Sequence, residues 1–170
     1  MSRYPRLSLR QGYSVKRAVE RFIGGDTIGY VTAIHTATDV GFVVESMNSA
    51  QGGFLFAPIK SAEEALEYAN FMFHEPPFSA YSREHVDIYN QQDLDEALSG
   101  WKDYKVLKNP PTDITRVTRQ NDGKYSVELV FRCYLGKQRI EYMSCLVDSE
   151  GNLEALEYYI YVEGPWGAAL

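Results

Sequence analysis

The sequence predicts a single α+β domain organised around a long C-terminal antiparallel meander. Three observations carry that expectation. Residues 113–162 read as four successive strands joined by tight turns. Ser61-Ala-Glu-Glu64 opens a segment with clear helical periodicity. Between the two, short strand and helix patterns alternate, which gives about three helices in all to pack a curved sheet. The chain has 170 residues, 45% of them hydrophobic and 24% charged. That is an ordinary globular composition, and the length suffices to bury roughly two-thirds of the unfolded surface.

Taken in order, residues 1–13 are irregular, punctuated by Pro5 and Gly12, with Leu7 and Leu9 able to anchor them. Ser14 is a helix N-cap candidate, and Val15, Ala18, Val19, Phe22 and Ile23 form a stripe at helical spacing. Gly24-Gly25 then reads as a helix stop, because no Gly-Lys-Ser/Thr follows it as in a phosphate loop. Ile28–Ala37 and Val40–Met47 are expected to form a hairpin about Thr38-Asp39, and Phe54–Ile59 a third short strand. The helix opened at Ser61 carries Ala62, Ala65, Leu66, Ala69, Met72 and Phe73 on one side and ends before Pro76-Pro77. A strand at His85–Tyr89, a helix at Gln92–Ser99 with Trp101 beneath it, and a strand at Tyr104–Leu107 lead to the turn Asn109-Pro-Pro111. Residues 1–60 are a candidate subdomain beside a sheet-bearing core of 61–170. No linker composition separates them, so one domain over 1–170 is expected.

The turns of the meander suggest a register. Asp122-Gly123 as a two-residue turn sets Gln120 opposite Tyr125, and Gly136-Lys137 sets Leu135 opposite Gln138. A longer turn around Gly151 sets Val147 opposite Leu153. One face would then hold Tyr125, Val127, Leu129, Phe131, Cys133, Ile140, Tyr142, Leu146, Tyr158 and Val162 as a core or pocket wall. The opposite face would be mixed, with Arg132 directly opposite Glu141. Its Arg132, Tyr134, Glu141, Met143, Tyr159 and Tyr161 make a homodimer surface the expected use of that face. Cys133 and Cys145 would point to opposite faces and stay reduced.

The net charge of −6 is unevenly spread: Arg3, Arg6, Arg10, Lys16, Arg17 and Arg21 face only Glu20 in the first 21 residues. Such an arm suits nucleic acid or the acidic body of its own chain, and the acidity of the rest favours the second. No apolar run reaches the ~18 residues of a membrane span. The first residues lack the apolar core of a secretory signal, so a cytoplasmic location is expected.

Only His35, His74 and His85 are present, and neither they nor the two cysteines fall at metal-ligand spacing. No metal or cofactor is expected. Nucleotide-binding loops and the Gly-x-Ser-x-Gly elbow are also absent. His85 and Asp87 alternate to one side of a short strand and are candidate acid–base groups, together with Tyr142 and Tyr158. Arg116, Tyr125, Tyr142, Ser144 and Tyr158 interrupt the apolar face and are the candidate ligand-binding residues. Buried phenols and hydroxyls require partners, and an apolar pocket with a few polar groups suits a small ligand.

From Ser61 onward the element order is helix, short strand, short helix, short strand, then the long meander. The ending Met143-Ser-Cys-Leu-Val-Asp-Ser-Glu-Gly-Asn-Leu-Glu-Ala-Leu-Glu-Tyr-Tyr is an apolar strand, an Asp/Gly turn and an aromatic strand. Over residues 61–162 this resembles the cone-shaped α+β fold of ketosteroid isomerase and nuclear transport factor 2, at the level of topology and without a specific motif. The resemblance implies a curved sheet around a pocket and a dimer through the sheet's outer face, but no single activity. The segment 28–58 departs from it, since those proteins usually begin with helices alone. Two functions are expected in turn. The first is a non-enzymatic, homodimeric binding or assembly module that engages a protein or small apolar ligand. The second is a small pocket enzyme, an isomerase, dehydratase or hydrolase, acting on an apolar substrate.

Overall fold

Two antiparallel sheets and three helices make up the described chain. This computed structural model describes residues 4–21, 27–44, 49–74, 85–112, 114–133 and 137–166. The α+β class and the antiparallel meander agree with the sequence, and two of the three helices among the described residues stand where they are expected.

β1 (Tyr13–Arg21), β2 (Thr27–His35) and β3 (Gly41–Val44) form a three-stranded sheet in that order. The expected N-terminal helix is therefore a strand, paired from Tyr13↔His35 to Arg21↔Thr27. Val15 and Val19 fit a helical stripe but are stiff, β-branched residues, and nine rungs of pairing with β2 outweigh the weak helical preference of the segment.

α1 (Ser49–Phe56) occupies the position expected for a third strand. A short apolar run such as Phe54–Phe56 cannot distinguish a strand from a buried helix, and here the helix is chosen by how closely it packs. A Cβ added to Gly52 would lie 2.1 Å from the Tyr68 hydroxyl, and one added to Gly53 would lie 2.4 Å from the Glu150 carbonyl. The glycines thus form a notch in the helix surface.

α2 (Ala62–His74) starts as read, with Ser61 Oγ accepting from the Glu64 amide at 3.1 Å. The Glu64 carboxylate accepts from the amide of Lys60 at 2.6 Å, one residue earlier than the expected capping box. The segment 4–12 lies on these helices. The amides of Arg6 and Leu7 donate to Glu67 at 2.7 and 3.0 Å, and the amide of Arg10 donates to the Leu55 carbonyl. The described part of the basic arm is thus packed on its own chain.

The large sheet contains β4 (His85–Asp87), β5 (Lys105–Val106), β6 (Arg116–Arg119), β7 (Tyr125–Cys133), β8 (Lys137–Val147) and β9 (Leu153–Trp166). Its order is β4-β7-β8-β9-β5, with β4 and β6 sharing one edge of β7 end to end. α3 (Gln91–Ser99) is capped by Asn90, whose side chain accepts from the Asp93 amide.

The register differs from the expected one by a single residue in two ladders. At the first turn, Gln120 pairs with Lys124 through a 2.7 Å hydrogen bond, which makes a three-residue turn with Gly123 at φ +86°. Arg119 then stands opposite Tyr125. Between β7 and β8, Cys133 pairs with Arg139, and Arg132 faces Ile140 in place of Glu141. The expected partner Leu135 lies outside the described residues. Val147 does pair with Leu153, but a β-bulge between Ser144 and Cys145, with Leu156 as the extra residue of β9, brings Tyr142 opposite Tyr159, where Tyr158 was expected.

A one-residue slip exchanges the faces of a strand. Tyr125, Val127, Leu129, Phe131 and Cys133 share a face with Cys145 and Val147, and this face packs on α1 and α2. Val130, Ile140, Tyr142 and Val162 share the other face, where Ile88, α3 and Trp101 cover one end. Cys133 and Cys145 therefore point the same way, against expectation. Both are buried and neither is in a disulfide, and they are held apart along the strands by about 20 Å at ~3.4 Å per residue.

Candidate functional site

Helix α3 covers only part of the second face. Towards the other end lies an open concavity of about 370 Å³ built by four adjacent strands. β6 supplies Arg116 and Thr118, β7 supplies Ser126 and Glu128, β8 supplies Tyr142 and Ser144, and β9 supplies Leu156. The floor is polar because alternation places Ser126 and Glu128 on this face while Tyr125, Val127 and Leu129 face the helices.

Glu128 is the hub. It is 9% exposed, and both carboxylate oxygens are engaged. Tyr142, 2% exposed, donates its hydroxyl to Oε1 at 2.9 Å, and Arg116 donates Nε to Oε2. The Tyr142 ring stacks on Tyr159 with centroids 5.0 Å apart, and Lys108 Nζ sits 3.7 Å from the centre of the Tyr159 ring. Lys108 in turn approaches Glu157 at 3.9 Å.

Burial, followed by the hydrogen bond to Glu128, pushes the Tyr142 phenol well above its usual range. It stays protonated near neutrality and acts as a donor. The bond to Glu128 likewise raises Arg116, whose side chain remains 50% exposed. Its half-exposed guanidinium, held through Nε, lines the groove with Thr118, Ser126 and Ser144. Such a set can hold an anionic or amide group by hydrogen bonds while a small apolar body rests on Leu156.

The residues singled out in the sequence are distributed as follows. Arg116, Tyr142 and Ser144 converge in this groove. Tyr125 lies on the helix-packed face and donates to the Lys60 carbonyl at 3.1 Å, a bond that fastens α2 to the sheet. Tyr158 is also separate. It is 55% exposed and donates to Glu141 at 2.8 Å. Glu141 is 2% exposed, and its Oε1 has no partner among the described residues.

His85 and Asp87 stand two rungs apart on the β4 edge, opposite Cys133 and Phe131. Asp87 accepts from the Tyr89 hydroxyl at 2.9 Å and borders concavities of about 390 and 500 Å³. Asp87 shares a face of the sheet with Phe131 and Glu141, whereas Tyr142 is on the other, so these two do not meet.

The expected homodimer surface is likewise divided. Glu141 and Met143 align with Phe131 and Leu129 on the helix-packed face, whereas Arg132 and Tyr159 are on the other. Tyr161 packs with the α3 cluster, and Tyr134 lies outside the described residues. Arg132 is engaged with Gln138 and lies over the Trp101 ring.

Glu128 is not among the residues singled out in the sequence, and Tyr159 is named there only for the homodimer surface. The signal for Glu128 was present in the alternation of β7. With the register one residue off, however, Glu128 appeared to face away from Arg116 and Tyr142.

Among the described residues, no three His, Cys, Asp or Glu side chains come together as metal ligands, and no helix is long and apolar enough to cross a membrane. No protein family matches the chain, and neither curated proteins nor solved structures show significant similarity to it.

Proposed function

We propose that the protein is a non-enzymatic binding module whose large sheet engages a small ligand through the groove of Arg116, Glu128, Tyr142 and Ser144. The observation that carries this reading is the Arg116–Glu128–Tyr142 set itself. One carboxylate holds both the guanidinium and the phenol in place, and the Arg116 side chain remains half exposed in the groove lining. Preorganised donors of this kind favour binding, because little side-chain freedom is lost when a ligand arrives. The raised phenol supports a donor role for Tyr142 over a proton-transfer role at neutral pH.

The polar lining moves the ligand class from apolar to amphipathic: a carboxylate or similar anion joined to a small ring or short chain. The element order from α2 to β9 supports a likeness to the ketosteroid isomerase and nuclear transport factor 2 fold, and the binding reading does not depend on that likeness.

A thermal-shift measurement with benzoate as the probe tests the proposal. A ligand that binds only the folded state raises the melting temperature in proportion to RT ln(1 + [L]/Kd). Benzoate should stabilise the wild type in a saturable way, and Arg116→Leu should lose the effect while keeping a native circular dichroism spectrum. Equal stabilisation of both proteins, or none of either at millimolar benzoate, contradicts the proposal.

A further inference from the structure

The outer edge of β9, which borders the groove at Leu156, carries a second inference. β9 runs from Leu153 to Trp166, yet β5 covers it only through Lys105↔Glu163 and Val106↔Val162, extended by the Leu107 amide donating to the Tyr161 carbonyl. No described strand pairs with that edge from Leu153 to Tyr159. Seven residues at ~3.3 Å each make about 23 Å of edge with no described strand beside it, the length of an ordinary strand. Residues 154–158 are all exposed, with Leu156 at 50% and Tyr158 at 55%.

The charge of this edge is one-sided. Glu154 and Glu157 align with Leu146 and Ser144 and so share a face of the sheet, and Asp148 and Glu150 lie in the adjoining turn. No Lys or Arg occurs after Arg139 in the sequence. Lys108, which lies over the Tyr159 ring, approaches Glu157 at 3.9 Å with both side chains well exposed, which is a weak pairing.

A second copy of the chain is a poor occupant. Antiparallel pairing of two β9 edges around their middle would bring Glu154 and Glu157 of one copy against the same pair of the other, and opposed like charges destabilise a ladder. A basic strand meets none of that repulsion.

We propose that the β9 edge receives an extended, Lys- or Arg-bearing segment of a partner protein by strand addition. Its alternate basic side chains would meet Glu154 and Glu157, and its intervening apolar ones would lie beside Tyr158. Main-chain hydrogen bonds supply the affinity, and the acidic face supplies the selection for charge.

The test uses the full chain and two fluorescent peptides, one of alternating lysine and valine and one of alternating glutamate and valine. The lysine peptide should bind by anisotropy, more weakly as salt rises, and should slow deuterium uptake in residues 153–160. The glutamate peptide should do neither. Charge reversal at the exposed pair, Glu154→Lys with Glu157→Lys, should weaken the lysine peptide about tenfold and admit the glutamate peptide. Should that double variant fold poorly, the single change Glu154→Lys and the salt dependence decide.

Several outcomes overturn the proposal: equal binding of the two peptides, binding without protection of β9, or concentration-dependent protection of β9 with no peptide present. The last result would assign the edge to a second copy. Because benzoate reads the groove and the peptide reads the edge, either reading can fail without the other.

Discussion

Replacing Tyr142 by phenylalanine removes one oxygen atom from a site where that oxygen has a defined task. Its hydroxyl donates at 2.9 Å to Oε1 of Glu128, a carboxylate that is 9% exposed and whose other oxygen is held by Arg116. Phenylalanine keeps the ring stacked on Tyr159 and leaves Oε1 without a donor. A hydrogen bond to a charged group contributes about 1.5–3 kcal/mol. For a chain of this size, each kcal/mol moves the melting temperature by roughly 2–4 °C. Tyr142→Phe should therefore melt roughly 3–12 °C below the wild type and show a matching loss in urea unfolding.

The same reasoning predicts the opposite for removal of the whole set. Arg116→Met, Glu128→Leu and Tyr142→Phe together leave no orphaned charge, so the triple variant should fall within about 1 kcal/mol of the wild type or exceed it. Such a pattern would mark the polar set as kept for binding and not for stability. A Tyr142→Phe variant within about 0.5 kcal/mol of the wild type, or a triple variant less stable than its single changes combined, would refute the reasoning.

Three further outcomes follow from the packing and the titrating groups. Gly151 has φ +76°, and a Cβ there would lie 2.5 Å from the Gly53 Cα, so Gly151→Ala should cost about 2–4 kcal/mol in urea unfolding. Cys145, whose thiol is pushed up to about 12 by burial, should not react with a thiol reagent at pH 8 until the protein is unfolded, as a timed assay with and without urea would show. Burial tends to raise Asp148, but hydrogen bonds from the Asn152 side chain and the amides of Asn152 and Glu150 outweigh it and leave the carboxylate below its usual range. Its stabilising contribution is thus present above the unfolded value, near pH 4, and is lost as pH falls through the lower folded value. The stability gap between wild type and Asp148→Ala should accordingly close below about pH 4.

How far the sequence could be read depended on the kind of signal. α2 was legible because Ser61, two acids in its first turn and a long apolar stripe all agree, and α3 was legible for similar reasons. β7, β8 and β9 were visible as alternating runs. β1 and α1 were not, since their identity rests on partners far along the chain. β2 gives β1 its strand form, and Tyr68 with the Glu150–Gly151 turn gives α1 its glycine-lined fit.

The site failed to emerge for a narrower reason. Asp122-Gly123 has the composition of a two-residue turn, yet Asn121 joins it, and that one added residue moves Glu128 opposite Arg116. A bulge between Ser144 and Cys145 then brings Tyr159 against Tyr142, and nothing in the local sequence announces it. Arg116, Tyr142 and Ser144 were identified by type as polar groups in an apolar strand pattern. Their common partner required the correct register.

The most direct test of the account is where benzoate binds. In a titration followed by amide chemical shifts, the resonances of Thr118, Ser126, Glu128, Ser144 and Leu156 should move together along one saturation curve. Those of β4 and of α2 should stay in place, and Arg116→Leu should abolish the movement. Shifts centred on Asp87 and Tyr89, or on Tyr158 and Glu141, or unchanged in Arg116→Leu, would contradict the claim that the Glu128-centred groove is the binding surface.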